Sequence, residues 1–253
     1  MTEIQFHELL VNIGFGLALL IFISLFFVTA PYGRHTRGGW GLLLDNRLGW
    51  ILMESPSALG FAAYFFTGTV TRNLPILAFL LMYEIHYLNR AFIYPFTLRD
   101  GRRKMPLSVM LMGLVFNLGN SYTNGRYLFH FSGGYPDSWL ADPRFIIGLA
   151  LFITGLATNL WADHVLRNLR VPGDLAYHIP NRGLYRWISC PNYFGEIVEW
   201  TGWAIATWSL PGLAFAIWTI ANLAPRARAH HAWYHARFPT YPPQRKALIP
   251  FLY

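Results

Sequence analysis

Glu54 stands in Trp50-Ile-Leu-Met-Glu-Ser-Pro-Ser-Ala58, an apolar run with no evident need for a carboxylate. Two readings are open. A carboxylate beside Ser55-Pro56 can mark a helix start near a membrane surface. Alternatively, a buried carboxyl keeps its proton and donates a hydrogen bond to a ligand. A second group lies in "YEIHYLNRAFIYPF", where Tyr83, Tyr87, Arg90 and Tyr94 recur at i, i+4, i+7 and i+11, one face of a helix. Glu84 and His86 flank that stripe. An interfacial aromatic belt accounts for Tyr94 but poorly for Tyr87 and Arg90, which lie deeper in the run. A polar stripe lining an interior cavity is the better fit.

Three further clusters carry amides and charges. Asn159, Asp163, Arg167 and Arg170 fall at i, i+4, i+8 and i+11, followed by the stop signal Pro172-Gly173-Asp174. Asn192, Glu196 and Trp203 share a face of the helix in "SCPNYFGEIVEWTGWA", which also holds Glu199. A plain N-cap at Asn192 would put its capping-box glutamate at 195, which is glycine. The tail carries Arg226, Arg228, His230, His231, Tyr234 and His235. His231 and His235 have the i, i+4 spacing of a metal pair, but no Cys cluster or Glu-x-x pattern completes a site, so no metal is expected. Histidines among arginines suit a polyanionic ligand. Neither a P-loop nor a G-x-G-x-x-G follows a strand, so a nucleotide would have to bind in a helix bundle by another scheme.

The elements that must position these groups are membrane helices. Of 253 residues, 54% are hydrophobic, 17% aromatic and only 13% charged, with ten tryptophans and twenty phenylalanines. A soluble domain carries about a quarter charged residues. Apolar runs near 8–30, 50–70, 74–97, 106–124, 144–166, 192–208 and 211–226 predict seven transmembrane helices, the last two parted at Ser209-Leu210-Pro211. The first run lacks the basic flank of a signal peptide. Sixteen of the twenty basic residues fall in segments 31–49, 98–105, 167–191 and the tail, which seven alternating spans place on one side. The positive-inside rule then puts the N-terminus outside and the C-terminus in the cytosol. No linker or repeat divides residues 1–253, so one domain is expected, an all-α integral membrane protein. The formal charge of +8 is spread over one membrane face without a reading motif, which disfavours nucleic acid as a partner.

These residues resemble the steroid 5α-reductases, membrane enzymes that reduce Δ4-3-oxo steroids with NADPH. The likeness covers nearly the whole chain. It is most specific in "ATNLWADHVLRNLRVPGDLAYHIPNRGLYRWISCPNYFGEIVEWTGWAIATWSLPGLAFA" and "YPPQRKALIPFLY", and returns in "APYGRH", "WILMESPSA" and "IHYLNRAFIYPF". The resemblance implies a seven-helix fold with its NADPH site open to the cytosol. It implies that Glu54 and Tyr87 hydrogen-bond the substrate 3-ketone, with Trp50, Met53 and Arg90 facing the substrate. It implies cofactor contacts from Arg99, Arg102, Asn159, Asp163, Arg167, Arg170, Tyr177, His178, Asn192, Glu196, Arg226, His230 and Tyr234. Met53 stands where relatives usually have glutamine, and His178 where arginine is common.

The expected chemistry is hydride addition to the β-carbon of a conjugated enone while Glu54 and Tyr87 stabilise negative charge on the ketone oxygen. A steroid or another lipophilic enone and the membrane lipids are the partners; no obligate protein partner is inferred. The membrane would be a bacterial inner membrane or, in a eukaryote, the endoplasmic reticulum. Alternatives are a reductase of another enone, sterol or polyprenoid double bond, or an isoprenylcysteine-type methyltransferase. A sterol receptor or small transporter would explain the cavity but not the Arg/His/Asn clusters.

Overall fold

The structure is a computed structural model that describes residues 1–98, 104–169 and 176–253. Its first helix, α1 (Glu3–Phe27), begins at a capping box. The Thr2 hydroxyl accepts from the Gln5 amide at 3.3 Å, and the Gln5 side chain accepts from the Thr2 amide at 2.9 Å. Of its 25 residues only His7, Val11 and Ala18 are buried. A helix apolar on every side with so little of it covered is dressed for lipid.

Helix α2 (Asn46–Phe66) is capped by Asp45, whose carboxylate accepts from the amides of Arg47 and Leu48 at 3.0 and 3.1 Å. Helix α3 (Leu74–Leu88) runs through a π turn at Asn89–Ile93 into α4 (Tyr94–Thr97). Helix α5 (Leu107–Arg126) ends in a second π turn, Tyr127–Phe131. Helices α6 (Pro143–Asn168), α7 (Pro191–Thr207) and α8 (Leu210–Arg237) complete the bundle. Each of the seven apolar runs is therefore helical. Three rods, α1, α3 through α4, and α6, are by length and composition able to cross a membrane. A belt of exposed leucine, isoleucine, valine and phenylalanine, including Leu59, Phe66, Leu81, Val115 and Ile153, marks a membrane protein.

Boundaries depart from expectation at two places. The tight break expected at Ser209-Leu210-Pro211 falls at Trp208-Ser209. Trp208 makes the turn in left-handed backbone (φ 46°), and Leu210 and Pro211 already belong to α8. Proline in a first helical turn has no amide to waste, so Pro211 starts the helix rather than stopping it. Helix α8 also runs on to Arg237, beyond the expected end at 226, despite Pro225 within it.

Two contacts set the geometry of the site. Strands β1 (Leu43–Asp45) and β2 (Lys104–Pro106) pair antiparallel, with Leu44 opposite Met105, and tie the starts of α2 and α5 together. Helices α6 and α7 press backbone to backbone along Gly148 and Gly155 on one side and Gly195 and Gly202 on the other. A Cβ on Gly155 would overlap the Glu199 backbone nitrogen, and one on Gly202 that of Phe152. Small residues every seventh position give such a close approach in lipid. Between these pairs Phe61, Phe79, Tyr83, Trp200 and Trp203 fill an aromatic core, with Phe61 and Tyr83 stacked at 3.8 Å.

Candidate active site

A cavity of about 530 Å³ lies between α1, α2, α3, α5, α7 and α8. Its walls include Trp50, Met53, Glu54, His86, Tyr87 and Arg90, so every residue expected to face substrate lines one space. Helix α2 begins at Asn46, which puts Glu54 well inside the helix; the helix-start reading of this carboxylate falls. Met53 lies against Gly113, where a Cβ would overlap its side chain, so the glycine makes room for it.

Glu54 and Tyr87 are held from a third helix. Asn117 Nδ2 donates to Glu54 Oε2 at 3.1 Å and to the Met53 carbonyl at 2.7 Å. Ser57 in turn donates to Asn117 Oδ1 at 2.8 Å. Asn120 Nδ2 lies 3.1 Å from the Tyr83 hydroxyl and 3.2 Å from that of Tyr87. Asn124, one turn on, accepts from Trp203 Nε1 at 3.0 Å. This asparagine stripe on α5 at i, i+3 and i+7 has the same helical signature as the tyrosine stripe, but is absent from the sequence-level assignment.

Deeper polar residues converge on Arg90. Its guanidinium meets Asp163 at 3.4 Å and Glu196 at 3.3 Å, and lies over the rings of Trp50 and Tyr94. Asn192 donates to Asp163 at 3.1 Å, and Asn159 donates to Glu196 at 3.3 Å and to the Asn192 carbonyl at 2.9 Å. Asn192 is in the first turn of α7 behind the cap residue Cys190, so it reaches across to α6 rather than capping. The expected set Asn159, Asp163, Asn192 and Glu196 is thus one network on the facing helices α6 and α7. Arg167 donates to Thr97 at 2.7 Å, next to this network. Glu199 has a partner the sequence did not reveal: His86 Nδ1 lies 2.8 Å from its Oε1, with Glu199 wholly buried.

At the basic end, Arg226 lines the cavity and binds the Tyr193 hydroxyl at 3.0 Å and Asn222 Oδ1 at 2.7 Å. His230 lies 3.1 Å from the same tyrosine and 3.2 Å from His35 Nε2. Arg34 bonds the Tyr234 hydroxyl at 3.4 Å and sits over the rings of Tyr177, Trp233 and Tyr234. Among the described residues neither Arg34 nor Arg226 meets a carboxylate, and Arg34 Nη1 is buried without a hydrogen-bond partner. A guanidinium without a carboxylate beside it is suited to an anion. Burial and the neighbouring Arg34 hold the imidazoles of His35 and His230 below the usual histidine range, keeping both neutral. His178 is exposed, away from the cavity lining. Arg99, Arg102 and Arg170 lie outside the described residues. His231 bonds Ser189 at 2.6 Å, and its ring packs on that of His235 at 4.5 Å, so both serve the junction with the tail.

Residues 103–253 match the family model described as 3-oxo-5-alpha-steroid 4-dehydrogenase. The chain is 43% identical to 3-oxo-5-alpha-steroid 4-dehydrogenase 1 of Bos taurus, over 94% of its own length and 93% of that protein. This chain belongs to the 3-oxo-5-alpha-steroid 4-dehydrogenase family. Its plant relatives in that family are as near: steroid 5-alpha-reductase DET2 of Gossypium hirsutum is 43% identical over 98% of this chain and 97% of its own. The human 3-oxo-5-alpha-steroid 4-dehydrogenase 1 is 44% identical over 88% and 86%. Family membership selects an oxidoreductase over the methyltransferase and receptor readings.

Proposed function

We propose that this chain reduces the Δ4 double bond of 3-oxo-Δ4 steroids such as testosterone and progesterone to 5α-reduced 3-oxo steroids. The observation that carries the reading is one cavity in which Glu54 and Tyr87, each held by an asparagine of α5, face a space lined largely by apolar and aromatic side chains. A rigid, lipophilic ketone fits such a lining, and its oxygen needs donors that are held in place. Glu54 acts as a neutral carboxyl and donates alongside the Tyr87 hydroxyl. As the β-carbon is reduced, both bonds strengthen on the developing enolate oxygen.

NADPH, the cofactor of this reading, supplies the hydride. The unpaired guanidiniums of Arg34 and Arg226 suit its diphosphate and 2′-phosphate, and Tyr193, His230 and Tyr234 lie beside them. The network of Asn159, Asp163, Asn192 and Glu196 orients Arg90 and lines the passage between the basic end and the ketone end, where the nicotinamide would lie. By the family resemblance Arg99, Arg102, Arg167, Arg170 and Tyr177 complete the cofactor contacts. Residues 1–253 work as one multi-pass membrane domain of seven spans. Its N-terminus lies outside and its basic loops in the cytosol, in a bacterial inner membrane or the endoplasmic reticulum. NADPH oxidation with testosterone, and the configuration of the product at C5, test the reading. A wild-type protein that leaves testosterone unreduced, or yields the 5β epimer, removes it.

A further inference from the structure

The proposed reduction leaves one proton unassigned. After hydride reaches the β-carbon, the π electrons rest in an enolate, and the adjacent α-carbon must gain a proton. That carbon is one bond from the carbonyl carbon, so its proton donor has to sit beside Glu54 and Tyr87.

Most titratable side chains of the cavity are already committed. Glu54 and Tyr87 serve the oxygen. Arg90 and Glu196 are paired with each other, and at the far end Tyr193 binds Arg226, whose guanidinium lies over the Tyr32 ring. His86 is the exception. It precedes Tyr87 in the chain, its ring meets the Tyr87 ring edge-on at 5.1 Å, and it lines the cavity. Its Nδ1 is fixed on Glu199 at 2.8 Å, which leaves Nε2 as the ring nitrogen that Glu199 does not engage. The Trp200 ring, at 4.6 Å, holds the imidazole plane from the side. Glu199 has no exposure, and its Oε2 is buried without a partner. A carboxylate anion there would leave half its charge unsatisfied, whereas a neutral carboxyl needs only the one bond to Nδ1.

Resting on the steroid-reductase reading, we propose that His86 is a further catalytic residue that protonates the α-carbon from Nε2, with Glu199 as the proton reserve behind it. In the resting pair, the Glu199 hydroxyl donates to Nδ1 and Nε2 carries a hydrogen. As the Nε2–H bond breaks and the Cα–H bond forms, the enolate returns to ketone. The Glu199 proton passes to Nδ1, so the imidazole stays neutral and the carboxylate takes the charge until solvent restores its proton. No redox partner enters this step.

The acid that protonates the α-carbon is, in reverse, the base that removes its proton from the saturated ketone. The full chain in detergent is incubated in D2O with 5α-dihydrotestosterone and oxidised cofactor, and deuterium at C4 is followed by NMR. Wild type exchanges one C4 proton stereospecifically. His86→Gln slows that exchange by about 100-fold, the ordinary worth of a positioned acid or base. Glu199→Gln keeps the shape and a bond to Nδ1 but cannot relay a proton, and slows it by at least about tenfold. Steroid binding, read by tryptophan quenching, stays within a few-fold in both. Exchange at the wild-type rate in His86→Gln overturns the assignment, as does wild type exchanging no faster than a protein-free control. If His86→Gln does not fold, a wild-type exchange rate in Glu199→Gln overturns the relay. Testosterone reduction by wild type is scored separately. Its absence sinks the reductase reading, whereas its presence with unaffected exchange sinks this proposal alone.

Discussion

Two asparagines on α5 decide how well the ketone-binding pair is aimed. Asn117 and Asn120 reach Glu54 and Tyr87 from a helix that lines the cavity with no acid or phenol of its own. Glu54→Gln or Tyr87→Phe should lower kcat with testosterone by on the order of 10²–10³, while NADPH affinity is retained. Steady-state kinetics beside a cofactor titration separate the two effects. Asn120→Leu should keep both reacting groups yet cost on the order of 1–3 kcal/mol in transition-state stabilisation, because the Tyr87 hydroxyl loses the amide that fixes it. A kcat within twofold of wild type would show that the tyrosine orients itself. At this scale, Glu54, Tyr87 and Arg90 were readable because a charged or phenolic group inside an apolar run has few other uses. The asparagines were not, since neutral amides cost less to bury and stand out less. The partner of Glu199 was hidden for another reason: His86 lies on a different helix, and only tertiary packing brings the two together.

Helices α6 and α7 carry the network that joins the ends of the cavity, and their glycines set its width. Asn159 on α6 can reach the Asn192 carbonyl at 2.9 Å because nothing larger than hydrogen separates the backbones at Gly155 and Gly195. Gly155→Leu should therefore destabilise the bundle by at least the 1–3 kcal/mol usual for overpacking, about, and lower the melting temperature in detergent. Gly119, which meets nothing within 4 Å, is the control: its alanine variant should melt with wild type. Helix existence was legible throughout from hydrophobic runs, but the ends were not. Pro211 reads as part of a break in a local window, and α8 takes it into its first turn, then runs past the interior Pro225 to Arg237.

Across the whole molecule, the loop after α1 and the far part of α8 meet through Arg34, His35, His230 and Tyr234. His35 and His230 sit at the basic end, each held below its ordinary value of 6.5 by burial and by Arg34. A histidine depressed in the fold stabilises it fully above that ordinary value, and the contribution is lost as pH falls through the lower folded value. The cofactor-free protein should thus lose thermal stability as pH drops below about 6.5, and His230→Gln should flatten that slope. Arg226→Ala should weaken NADPH binding at least about tenfold, the loss expected for one charge-assisted contact, with steroid affinity unchanged. The apolar runs made the membrane class legible from sequence. The aromatic box around Arg34 was less so, because the arginine comes from the loop after α1 and its walls from Tyr177, ahead of α7, and from Trp233 and Tyr234 at the far end of α8.

Cys190 closes the start of α7 with its backbone amide bonded to the Ala247 carbonyl at 3.2 Å, and burial pushes its thiol up to about 12. It is the one sulfhydryl in the chain. In the native fold it should resist maleimide at neutral pH and react stoichiometrically only after denaturation, as mass spectrometry would record. Spectroscopists therefore inherit a chemically silent background. A cysteine introduced at an exposed rim position such as Trp208 would carry a spin label or fluorophore alone, and distances across the membrane could be read without first removing a native thiol.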